Sequence, residues 1–176
     1  LIGGVTFRPN EHYAYRFRSI LDLSDIDVDP AAQTGFYASE GWLSFIPIGK
    51  GKAYWFGSVS GANTFEDFIA FFSSWTRTPI PKTLSSTSRD LLVQSPLQDV
   101  DGVPYKWTHG RVTLIGDAAH PMMPDMAQGA SQTFVDALSI RDAFAKTQNV
   151  DQALSEYETN RRQVANAVVK CSQKGL

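Results

Sequence analysis

The sequence predicts an α+β fold: a mixed, largely antiparallel sheet, then a strand–loop–helix, then a C-terminal helix. Three observations carry this. Short aromatic-rich runs joined by glycine-containing turns fill the region before about Thr108. The apolar run Val112–Ile115 is stopped by Gly116-Asp117 and a loop with two prolines. After Gln128 the apolar residues recur at helical spacing to the end of the chain. The 176 residues carry 43% hydrophobic and 19% charged side chains, a globular balance with enough material for a sizeable core. A net charge of −2 gives no basic field for nucleic acid or anionic membrane. No apolar run has the length of a transmembrane helix. The single cysteine, Cys171, excludes an internal disulfide framework and fits a reducing compartment such as the cytoplasm. The chain begins with leucine in strand-like sequence, so further sequence is expected upstream of Leu1.

The first strands expected are Val5–Phe7 and His12–Arg18, separated by the turn-forming Pro9-Asn10. In the second, Tyr13, Tyr15 and Phe17 alternate with His12, Ala14, Arg16 and Arg18, which predicts one aromatic and one mostly polar face. Leu21–Pro30, with four aspartates, is expected to be a solvated loop. Gly35–Ser39, Trp42–Ile48 and Ala53–Ser60 read as an antiparallel meander with turns at Glu40-Gly41 and Gly49-Lys50-Gly51. Its aromatics suit a packed layer first and a face for a flat apolar ligand second, with Phe36, Phe45, Tyr54 and Phe56 as candidate pocket residues.

Thr64 offers an N-cap to a helix whose Phe65, Phe68, Ile69, Phe72 and Trp75 share a side. Pro79 and Pro81 bracket a connection, and Thr83–Ser88 fits neither state clearly. Leu91–Val93 and Val103–Trp107 are expected as short strands about a turn at Asp101-Gly102, and Val112–Ile115 as a fully buried strand. In the next helix Ala130, Phe134, Ala137, Leu138 and Phe144 form the expected apolar side, with Gln132, Asp136 and Asp142 toward solvent. In the last helix Val150, Ala153, Leu154, Tyr157, Val164 and Val168 share a face, with Asn149 as cap and Glu158 four residues before Arg162.

A carboxylate at the end of a buried strand needs hydrogen-bond partners, and sugar or polyol hydroxyls suit Asp117. Gly129 permits close approach of a ligand, and the free amides of Ala130 and Ser131 sit at the positive end of the helix dipole. Such a site favours a ring that accumulates negative charge.

The run Gly116–Ala137, GDAAHPMMPDMAQGASQTFVDA, resembles the second flavin-binding signature of the group A, single-component FAD-dependent monooxygenases. These are the aromatic hydroxylases of the para-hydroxybenzoate and salicylate hydroxylase type. The resemblance extends back through Gly110-Arg111-Val112, forward through Ala153–Arg161, and loosely over Phe45–Gly49 and Tyr54–Phe56. It implies residues 1–108 as a substrate-binding sheet domain and 109–176 as the C-terminal half of an FAD-binding domain. It implies Asp117 at the ribityl and phosphate region of FAD and Pro124 lining the ring, with Gly116 and Gln128 also among the cofactor-binding residues. The amides of Gly129, Ala130 and Ser131 would meet the pyrimidine edge. Ser131 replaces the family's usual asparagine and Val135 its usual glutamate.

The implied activity is NAD(P)H-driven hydroxylation of an aromatic or similarly flat molecule through a flavin hydroperoxide, with no side chain acting as a nucleophile. The G-x-G-x-x-G that holds the ADP half of FAD has no match, because Gly49-Lys50-Gly51 is followed by Tyr54 where the third glycine should stand. The resemblance therefore implies a missing N-terminal Rossmann half or a partner chain. A truncated, non-catalytic module that needs such a half to bind FAD is the alternative. A hydrolase or metal site built on His120 with Asp117 or Asp125 finds no supporting motif, and no metal is expected.

Overall fold

The computed structural model describes residues 6–10, 13–100 and 103–174. In chain order the elements are β1 (Phe7–Pro9), β2 (Tyr15–Asp22), β3 (Thr34–Tyr37), β4 (Gly41–Gly49), β5 (Lys52–Val59), α1 (Phe65–Phe72), α2 (Ile80–Ser86), β6 (Val93–Pro96), β7 (Gln98–Val100), β8 (Thr108–His109), β9 (Val112–Thr113), α3 (Gly129–Lys146) and α4 (Val150–Ser172). The fold is α+β. The chain divides into two compact units, Pro9–Leu97 and Gln98–Leu176 with Leu1–Arg8. Three sequence expectations fall on residues outside the described ones: Val5 of the first strand, His12, and the Asp101-Gly102 turn.

The first unit is a five-stranded antiparallel sheet of order β3-β4-β5-β2-β6 with α1 and α2. The meander β3-β4-β5 lies within two residues of its expected bounds. Its β4–β5 turn runs through Gly49, Lys50 and Gly51, all at positive φ, a conformation glycine adopts without Cβ strain. Gly57 is required for another reason: a Cβ there would stand 2.4 Å from the Trp42 carbonyl oxygen. Helix α1 begins in a capping box, with Thr64 Oγ1 accepting from the Asp67 amide at 3.1 Å and Asp67 Oδ2 from the Thr64 amide at 3.0 Å. Its Phe65, Phe68 and Phe72 are buried against Phe17, Phe45 and Trp55. The Phe17 and Phe68 rings lie 4.8 Å apart, and truncating such a ring costs about 3–5 kcal/mol.

Several expectations need correction here. The Pro79–Pro81 connection is in fact the start of α2, because Pro81 sits in the first turn, where a missing amide costs nothing. Leu91 closes a 3-10 turn, and its strand begins only at Val93. The expected polar face of β2 is not solvated at Arg16, which is buried with Nε donating to Ser58 Oγ at 2.9 Å. Strand β2 continues to Asp22, and Ile26 of the acidic segment is buried in the core, so that segment is only partly a solvated loop.

The second unit packs α3 against α4 over Trp107, Ala119, Ala143, Ala153, Tyr157 and Ala165. Val103–Trp107 forms no strand; Trp107 instead enters this core, and Glu158 accepts from the Trp107 and Thr108 amides at 3.0 and 2.8 Å. The expected buried strand is reduced to β9, paired only with the two-residue β8. Val112 and Ile115 are 58% and 44% exposed, because a two-stranded ribbon offers them no covering layer. Leu114 alone turns to the core.

Helix α3 is rotated relative to its expected orientation. Asp136 and Ala143 are buried, whereas Phe134, Val135, Leu138 and Phe144 are exposed. In α4 the inward line is Ala153, Leu154, Tyr157, Arg161, Ala165, Val169 and Ser172, with Val164 outside it. The physical reason for both departures is a polar network at the helix–helix contact. Asn149 caps α4 as expected, accepting from the Gln152 amide at 3.1 Å.

Candidate functional site

Gly116, Asp117 and Ala118 form a single 3-10 turn directly after the β9 segment, with Gly116 at φ +57°. This turn lies beside the start of α3: a Cβ built on Gly116 would meet Thr133 Oγ1 at 3.0 Å, and one on Gly129 would meet Asp117 Oδ1 at 3.9 Å. Two glycines thus allow the Asp117 carboxylate and the N-terminus of α3 to stand side by side.

The carboxylate of Asp117 is exposed and accepts no hydrogen bond from any described residue. The first backbone bond into α3 is Gln132 N to Gln128 O, so the amides of Gly129, Ala130 and Ser131 have no intrahelical acceptor. No acidic side chain lies in this first turn and no side chain caps it. An acceptor group and three open donors, held by glycines, fit a ligand with hydroxyls at one end and a polar ring edge at the other. Pro124 is exposed at the start of a second 3-10 turn, Pro124–Met126, which ends in Ala127 at φ +51° and delivers the chain to Gln128. The structure therefore brings Gly116, Asp117, Gly129, Ala130 and Ser131 together, with Pro124 and Gln128 on the connecting loop.

Beneath the turn lies the group that sequence reasoning missed. Asp136 Oδ2 accepts from the Gly116 amide at 3.0 Å and from His120 Nε2 at 2.6 Å. Its Oδ1 accepts from Arg161 Nε at 2.8 Å, and Arg161 Nη2 donates to Gln132 Oε1 at 2.8 Å. Burial pushes the Asp136 carboxyl up, but the bonds from His120, Gly116 and Arg161 outweigh it and hold the group below the ordinary carboxylate range. Tyr157 packs beside the same cluster, donating to the Leu114 carbonyl at 3.0 Å; its hydroxyl is pushed well up by burial and then by the Asp136 charge. The available signal was Arg161 standing four residues after buried Tyr157, and Asp136 on the Thr133–Ile140–Ala143 line of α3.

The four aromatic pocket candidates do not share a face. Phe36 pairs with Leu43 and packs edge-on to Phe45, on the side covered by the helices. Tyr54 and Phe56 lie on the opposite face and stack at 5.3 Å. There Phe56 meets Trp42 edge-on at 5.4 Å, and the Arg16 guanidinium lies 4.5 Å from the Trp42 ring centre. This second face is aromatic with hydroxyl neighbours, since Ser44 pairs with Phe56 and Ser58 with Trp42. Phe45, by contrast, is wholly inside the core.

The match to known families decides the class. A family described as an FAD binding domain matches residues 82–172, more than half of the chain. The chain belongs to this FAD-binding family. Among curated relatives it is 32% identical to the aurachin C monooxygenase/isomerase of Stigmatella aurantiaca over 78% of this chain and 39% of that protein. It is 34% identical to the phenazine 1,6-dicarboxylic acid hydroxylase of Lysobacter antibioticus over 75% of this chain and 32% of that one. Among solved structures, a Klebsiella pneumoniae HpxO variant complexed with FAD superposes with a TM-score of 0.83 at 22% identity, covering 96% of this chain and 46% of its own. At that identity the likeness shows a shared fold. The chain spans less than half the length of each of these proteins. Among the described residues, no helix is long and apolar enough to cross a membrane.

Proposed function

We propose that this chain supplies the substrate sheet and one half of the flavin cradle of an FAD-dependent monooxygenase acting on an aromatic or similarly flat small molecule. The observation that carries this is the exposed Asp117 carboxylate, which bonds to no described residue, beside Gly129 and the first-turn amides of α3. Asp117 would hold ribityl hydroxyls, and the amides of Gly129, Ala130 and Ser131 would hold the pyrimidine edge. Pro124 and Gln128 would line the ring. When bound, FAD would take electrons from NAD(P)H and activate oxygen; this chain's residues would orient substrate and exclude water.

Tyr54 and Phe56, half-buried on the second sheet face with Trp42 buried behind Phe56, are the substrate contacts in this reading, while Phe36 and Phe45 support the sheet from inside. By function, the domain assignment follows the same line: the sheet region to about residue 108 binds substrate, and 109–176 binds flavin. The adenosine end of FAD needs a second half, on the same polypeptide or on another chain. The cytoplasm is the proposed compartment.

The test is FAD retention and substrate-stimulated NAD(P)H oxidation by the chain joined to its ADP-binding half. A yellow protein with stimulated oxidation supports the reading; a colourless, inert one overturns it. A non-catalytic module that requires a partner half is the second reading, favoured by Phe134 of α3, which is 72% exposed beside exposed Val135 and Leu138. It predicts that the 176-residue protein stays colourless with added FAD and becomes yellow only with that half supplied.

A further inference from the structure

One buried carboxylate ties the turn that carries Asp117 to α3 and α4. Asp136 lies on α3, yet it holds the Gly116 amide at the start of the Asp117 turn, His120 at the end of that turn's loop, and Arg161 of α4. The side chains of His120 and Asp136 are fully buried and that of Arg161 nearly so. Both carboxylate oxygens are engaged, and Arg161 extends the chain of bonds to Gln132, one turn into α3.

His120 Nδ1 is buried with no partner among the described residues, while Nε2 lies 2.6 Å from Asp136 Oδ2. Facing an ionised carboxylate, Nε2 must carry the proton.

We infer that Asp136, His120 and Arg161 form a positioning cluster whose hydrogen bonds, rather than packing, set where the Asp117 turn stands against the first turn of α3. The assignment of a flavin to that cradle rests on the function proposed above; the positioning itself does not. Packing holds Gly116 and Ala119 but leaves Asp117 and Ala118 exposed, and Asp117 itself bonds to no described residue.

The test compares His120→Leu, which removes the donor, with His120→Gln, whose side-chain amide can still donate to Asp136. Amide hydrogen exchange is followed at residues 116–119 and along α4, and FAD is titrated into each protein. His120→Leu should speed exchange at 116–119 by about tenfold relative to α4, the loss expected for one charge-assisted bond. His120→Gln should restore it to within about threefold of the unaltered protein. If the two variants change alike, or if exchange rises equally along α4, the side chain is only core and the inference fails. Should His120→Leu not fold, Gln132→Ala removes just the outer partner of Arg161 and should still speed exchange at 116–119 by about threefold; no change there overturns the inference. Where FAD binds, its affinity should rank as the exchange does, and an affinity indifferent to both variants would overturn a role toward the ligand. If FAD binds no variant, nor the unaltered protein with its ADP-binding half, the flavin reading fails while exchange still decides the positioning.

Discussion

Asp117 and Asp136 have the same side chain and opposite surroundings, and their environments assign them different work. Asp117 is exposed and bonds to no described residue, so Asp117→Ala should leave the melting temperature nearly unchanged, within about 0.5 kcal/mol of stability. If the proposed cradle holds, the same change in the chain joined to an ADP-binding half should weaken FAD binding by about tenfold, the loss expected for hydrogen bonds to a charged acceptor, as read by flavin fluorescence titration. Asp136 should behave in the reverse order. Asp136→Asn leaves Arg161 without its charge partner inside the protein, a loss of about 3–5 kcal/mol visible in thermal melts at neutral pH. The Asp136 carboxyl is lowered from its ordinary 3.8, so its stabilisation is complete well above that pH and is lost as pH falls through the folded value. Melting temperature should therefore drop steeply below about pH 4 in the unaltered protein. In Asp136→Asn that part of the acid slope should be missing.

At the scale of elements, local sequence signals and long-range contacts decide different things. The α1 cap is local: Thr64 and Asp67 are three residues apart, and both halves of the capping box form as their order suggests. Thr64→Ala should cost about 1 kcal/mol in a denaturant melt. The meander is local too, since glycine turns and alternating aromatics place three strands nearly to the residue. Gly57 belongs to the register instead: Gly57→Ala should destabilise the sheet unit by about 1–3 kcal/mol, because its Cβ would overlap backbone, which cannot move aside. Helix α3 shows where periodicity fails. Apolarity favoured burying Phe134, Leu138 and Phe144, yet Asp136 faces inward because three donors from elsewhere in the chain converge on it. The partners stand 20, 16 and 25 residues away in sequence, far outside any helical window.

For the whole molecule, the outward apolar side of α3 is the consequence that matters. Phe134, Val135 and Leu138 project from a helix whose inner side is already filled. Phe134→Ser should leave the melting temperature almost unchanged, yet reduce binding of an apolar dye and self-association measured by light scattering. A large loss of stability would mean that this residue belongs to the core. Sequence by itself determined the α+β class, the aromatic meander, the caps of α1 and α4, and the glycine-bounded stretch from Gly116 to Ser131 that marks an FAD-binding family. All of these depend on residues close together in the chain. Tertiary structure alone decided which sides of α3 and α4 are buried, which aromatics share a sheet face, and that Asp136 underlies the Asp117 turn. Those outcomes depend on hydrogen-bond register and on buried charges finding distant partners, and neither leaves a period in the sequence.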